Sequence, residues 1–149
     1  MTTKSERFMF WGSIVTLLLA GGIMIVLFFW AFIPYNIIDI ELPIKVLNED
    51  HQVVRGEILE LEIKFDKHLQ VNGHASTSII CDDGNLVTVL PPSGTGASFP
   101  LGEHSITIGL NVPRKTSVDT CHMNSVILYE VNPIRQVPVE IYSEDFEVI

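Results

Sequence analysis

The sequence predicts an all-β protein: an immunoglobulin-like antiparallel β-sandwich of about seven strands, preceded by one N-terminal transmembrane helix. Three observations carry that expectation. Residues 8–33 contain no charged side chain. Beyond Pro34 the apolar residues recur at every second position, the period of a half-buried strand. Turn signals rich in Gly, Pro, Asn and Asp separate the alternating runs, with no helical periodicity between them.

The opening run extends from Phe8 to Ile33. As a helix it would span roughly 39 Å at about 1.5 Å per residue, more than the ~30 Å hydrocarbon core of a bilayer. Gly12, Ser13, Thr16, Gly21 and Gly22 are compatible with such a helix, because its backbone hydrogen bonds stay within the segment. A cleaved signal peptide has an apolar region of about 7–15 residues and then a small-residue cleavage site. Here the small cluster Ala20-Gly21-Gly22 sits mid-run and more apolar residues follow it. The reading is an uncleaved signal anchor at 8–33, a cytoplasmic tail at 1–7 and an exported domain at 34–149. Lys4 and Arg7 precede the run, whereas Asp39 and Glu41 follow it, so the positive-inside bias puts the N-terminus in the cytoplasm. Trp11 and Trp30 lie near the two ends as interfacial anchors, and Tyr35 extends the outer belt. Pro34 breaks the helix as it leaves the lipid.

The strands follow in order. The first is expected at 36–47. In Glu57–Phe65, Leu59, Leu61, Ile63 and Phe65 share one face. Two further strands are read at 76–81 and 86–90. In Ser105–Val112, Ile106, Ile108, Leu110 and Val112 point inward, and Met123, Ser125, Ile127, Tyr129 and Val131 line one side of the next strand. Val137, Val139 and Ile141 alternate with Pro138 and Glu140 in the last. Pro138 has no N–H for a ladder, so that strand is expected at an edge or paired on one side only. Turns are read at Glu49-Asp50, 71–73, 82–85, 91–96, 100–102 and Asn132-Pro133. The stretch 91–102 is read as the longest loop and as a contact candidate.

Cys81 ends the third strand and Cys121 starts the sixth. In an immunoglobulin-like sandwich those two strands are antiparallel neighbours, so the end of one lies beside the start of the other. A disulfide is therefore expected; two separate buried thiols are the alternative. The chain carries nine Lys and Arg against eighteen Asp and Glu, a net charge of −9. An acidic balance lacks the electrostatic footprint for nucleic acid. His51, His68, His74, His104 and His122 have no metal-binding spacing. The 82–85 stretch lacks the remaining ligands of a calcium loop, and Ser93-Gly94-Thr95-Gly96 lacks the Lys of a phosphate loop. No nucleophile elbow occurs. No catalytic, cofactor-binding or metal-binding residue is nominated, no cofactor is expected, and the protein is read as a non-enzyme.

Tyr129, Val131-Asn132-Pro133-Ile134-Arg135 and Phe146-Glu147-Val148, together with Cys81 and Cys121, carry a resemblance. The chain looks like small single-pass membrane proteins of tailed bacteriophages and prophages. These have a short basic start, one membrane helix and a compact all-β domain whose last strands carry a V-N-P-[IL]-R turn. The resemblance implies that layout and transfers no catalytic residue. Asn132-Pro133 is read as the turn between the last two strands, and Arg135 as pairing with an acidic group of a neighbouring strand or facing a partner. The resulting expectation is a membrane-anchored, non-enzymatic binding or scaffolding protein of the bacterial inner membrane. Its partners are the bilayer through residues 8–33 and another membrane or periplasmic protein. Two other readings stay open: a phage factor that modifies the envelope by superinfection exclusion or lysis regulation, and a structural component of a membrane-bearing assembly.

Overall fold

The computed structural model describes residues 4–90 and 99–149, with side chains from residue 9 onward. Most of the loop read at 91–102, including the 91–96 turn, therefore lies outside the described residues. The chain forms two compact units. One is the N-terminal segment up to Pro34 together with Asn132–Arg135; the other is Tyr35–Val131 with Gln136–Ile149.

The first unit is built on helix α1, Lys4–Phe32. It starts within the stretch read as the tail and ends just before Pro34, whose ring cannot continue a helix. Ser13 Oγ donates to Met9 O at 3.0 Å and Thr16 Oγ1 to Gly12 O at 2.9 Å, so both hydroxyls bond inside the segment.

The second unit consists of strands in two sheets. In the first sheet β4 (Ile58–Lys67) is central. Strand β7 (Gly102–Asn111) pairs along one side of it, and β1 (Ile38–Ile40) and β2 (Lys45–Val46) share the other. In the second sheet the order is β3 (Gln52–Val53), β10 (Phe146–Val148), β8 (Thr120–Asn132), β5 (Gly73–Cys81) and β6 (Leu86–Val89), and β9 (Arg135–Tyr142) also pairs with β8. All strand pairs with a defined register are antiparallel except β10–β3.

The alternation in the sequence is the alternation of burial. Leu59, Leu61, Ile63, Phe65 and Lys67 of β4 are buried, and so are Cys121, Met123, Ser125 and Tyr129 of β8. Inward residues of both sheets belong to one hydrophobic core, from Leu59, Leu61 and Leu110 on one side to Ile79, Met123 and Ile141 on the other. Strand β9, with Pro138, has β8 as its sheet neighbour, the one-sided pairing that a residue without an N–H allows.

Three features differ from the sequence reading. The expected strand at 36–47 is two short strands, because Pro43 has no N–H to continue the ladder. Strands β3 and β10, unanticipated, run parallel and register Val148 against Val53. Strands β5 and β7 begin at Gly73 and Gly102, inside stretches read as turns. Long partners carry the pairing that far: Tyr129 lies opposite Gly73 and Lys67 opposite Gly102.

Candidate functional site

The β5–β8 ladder defines the second unit's two ends. At one end Cys81 and Cys121 are directly opposed and joined by an S–S bond of 2.05 Å. This is the pair named from the sequence, held by neighbouring strands of one sheet. The turn read at 82–85, beyond Cys81, connects β5 to β6 as a hairpin. Gly84 there adopts φ of 82°, and the Asp83 Oδ1 atom accepts from the Asn85 N–H at 2.8 Å. Asp83 is held below the usual carboxylate range, first by a hydrogen bond from Ser117 and then by the Asn85 backbone.

Toward the other end the inward residues of β5 shrink from Ile79 to Thr77, Ala75 and Gly73. The Tyr129 ring occupies the space this leaves: a Cβ on Gly73 would come within 2.8 Å of Tyr129 Cε1. The Tyr129 hydroxyl is buried with no partner among the described residues, and burial raises its pKa. Nearby, the Thr77 and Ser125 hydroxyls pair at 2.9 Å. Between the sheets at this level lies an apolar cavity of about 60 Å³, lined by isoleucines of both sheets, Phe65, Phe99 and Tyr129. A benzene-sized cavity needs ~150 Å³, so the space does not accept a metabolite without rearrangement.

Two polar groups escaped the sequence reading. Lys67 follows the inward alternation of β4 and is 1% exposed, with Nζ donating to Phe99 O at 3.1 Å; burial lowers its pKa. His68, one residue on, faces the opposite way. Its Nε2 lies 2.7 Å from Asp39 Oδ2, and its Nδ1 lies 3.9 Å from Asp66 Oδ2. The Asp39 hydrogen bond is the main cause that raises the His68 pKa, and the same bond, with one from Asn36, holds Asp39 low. His104 stacks at 5.2 Å on Phe65 and at 5.6 Å on Phe99. Among the described residues, no three His, Cys, Asp or Glu side chains are grouped so as to hold a metal ion.

In the first unit, Met9–Phe32 is long and apolar enough to cross a membrane, with mean hydropathy 2.5 and none of its most apolar stretch buried. Trp11 and Trp30 both present their rings on the surface, 64% and 39% exposed. Lys4 and Arg7 fall in the first turns of α1, and their side chains lie outside the described residues. Tyr35 belongs to the second unit and is half-buried.

The last turn of α1 holds no basic residue. Asn132 Nδ2 donates to Trp30 O at 2.9 Å, and Arg135 Nη1 donates to Ile33 O at 2.7 Å. A guanidinium at a helix C-terminus satisfies carbonyls that lack an intrahelical partner and opposes the negative end of the dipole. The Asn132 Oδ1 atom also accepts from the Ile134 N–H at 3.1 Å, which shapes the turn read at Asn132-Pro133. The sequence signal for this pairing was the Asn-Pro-x-Arg spacing, but nothing local pointed to a helix a hundred residues upstream. No protein-family model and no curated protein sequence matches the chain.

Proposed function

We propose that this chain is a membrane-anchored, non-enzymatic binding or scaffolding protein. In this reading it holds an immunoglobulin-like β-sandwich on the periplasmic side of a bacterial inner membrane, and it is phage-encoded. The observation that carries the proposal is α1, whose Met9–Phe32 span is uniformly apolar and unburied. A helix that is apolar all round belongs in a protein core or in lipid, and the most apolar stretch of this one is unburied. The charge asymmetry of Lys4 and Arg7 against Asp39 and Glu41 supports export of the β unit. The Cys81–Cys121 bridge supports an oxidising compartment. The single core shared by two sheets supports a sandwich, and the adjacency of β5 and β8 supports the immunoglobulin-like strand order. The interior cavity, at about 60 Å³, is too small for a metabolite, which supports binding at surfaces and strand edges. The Val131–Arg135 motif supports the phage origin.

Protease added to spheroplasts tests the anchor and its direction. The expected result is loss of the β unit and survival of a membrane-bound N-terminal fragment of about thirty-five residues, the length a spanning helix and its flanks require. A mature chain released without residues 1–33, or a protected β unit with both thiols reduced, sinks the proposal.

A further inference from the structure

Among the described residues strand β7 is the outer strand of its sheet, and the geometry points to it as the surface on which a second copy of this chain docks. The ladder to β4 is unbroken from Ile58↔Asn111 to Lys67↔Gly102. Just beyond it, Gly56 N donates to Val112 O at 2.8 Å and Val112 N to Glu57 O at 2.9 Å. Antiparallel bonding alternates, so the even-numbered residues of β7 bond to β4 and the odd-numbered ones turn their N–H and C=O groups away. Those are Glu103, Ser105, Thr107, Gly109 and Asn111, all exposed and with no backbone partner among the described residues.

Soluble proteins normally blunt such an edge with Lys, Pro, a bulge, an inward charge or a very short strand. Strand β7 has ten residues, no Lys, no Pro and an even register. Its inward Ile106 and Ile108 are only half-buried, so the apolar face of the sheet continues to the rim.

A second β7 fits this edge in one antiparallel register. With Thr107 opposite Thr107 of the second copy, Ser105 meets Gly109 and Glu103 meets Asn111. All five odd residues of each strand then pair, and every free N–H and C=O along them is satisfied. On the inward face Ile106 meets Ile108, which joins the two apolar rims. No like charges are opposed, since the strand's one carboxylate, Glu103, faces an amide. The proposal rests on backbone geometry and holds whether or not α1 is retained in a bilayer.

The test uses the full-length protein in detergent micelles. The expected mass of the protein component by light scattering is that of a dimer at micromolar concentration. Thr107→Lys sets two ammonium groups against each other at an exposed site and should weaken association at least tenfold. In parallel, Thr107→Cys should form an interchain disulfide on mild oxidation, because paired Cα atoms lie about 5.5 Å apart, whereas Glu140→Cys on β9 should not. No free cysteine competes for the oxidant. A monomeric wild type, a dimer unaffected by Thr107→Lys, or equal crosslinking at both positions would overturn the proposal.

Discussion

His68 Nε2 and Asp39 Oδ2 lie 2.7 Å apart in the β unit, and the signs of their shifts fix the pH response of this pair. Folding raises the His68 pKa, chiefly through the Asp39 hydrogen bond, so this contribution is complete below about pH 6.5 and is lost as pH rises through the elevated folded value. Folding lowers the Asp39 pKa, so its contribution is complete above about pH 4 and is lost as acid takes pH down through the depressed folded value. The pair therefore supports the fold most between about pH 4 and 6.5. Asp39→Asn should bring the His68 midpoint down toward its ordinary value, leaving the smaller pull of Asp66 at 3.9 Å. A side-chain NMR titration of the two proteins reads this directly, and an unchanged midpoint would rule out Asp39 as the cause. Neither residue announced itself in the sequence: they lie twenty-nine positions apart and meet because β1 registers Ile38 against Lys67, one step from His68. Lys67 was hidden differently. The strand expected at Glu57–Phe65 stops two residues short of it, and a lysine reads as solvent-facing until Phe99 O is seen to receive it.

At the scale of elements, the strongest constraint is the staple across β5 and β8. It closes a loop forty residues long. In the chain-entropy account this lowers the entropy of the unfolded chain and stabilises the fold by about 3–4 kcal/mol. Replacing both cysteines, as Cys81→Ala with Cys121→Ala, should reduce the urea-derived unfolding free energy by that amount, plus a smaller packing loss at two buried sites. A loss under about 1 kcal/mol would mean that the unfolded chain already holds these strands together. The pairing was readable because each cysteine sits at the matching end of its alternating run. Strands β4, β7 and β8 were readable for the same reason: eight or more alternating residues outweigh any local ambiguity. Strands β3 and β10 were not, since a strand of two or three residues carries no period, and their parallel pairing joins segments almost a hundred residues apart. Strands β1 and β2 read as one because a single Pro is a weak boundary beside seven isoleucines, leucines and valines. The C-terminal cap of α1 was equally illegible. Arg135 is expected to meet an acidic group or a partner, and the contact that the sequence does not reveal is its hydrogen bond to the carbonyl of Ile33.

For the molecule as a whole, the division into two units has a direct thermodynamic consequence. The β unit has its own core, its own disulfide and about 115 residues, a size at which a single core suffices for independent folding. Among the described residues, helix α1 adds apolar surface and no member of that core. The fragment 36–149, oxidised, should therefore be soluble without detergent and unfold in one cooperative urea transition followed by circular dichroism. The full chain should need detergent or lipid to stay dispersed, because the exposed span of α1 far exceeds the few hundred Å² of contiguous apolar surface that soluble monomers tolerate. The size of the denaturant response separates two cases. A slope near that expected for a domain of this length means that the core is complete without the first unit. A shallow, non-cooperative transition in the oxidised fragment would mean that residues 1–35 are needed to close the fold. The independence of the β unit would then have to be given up.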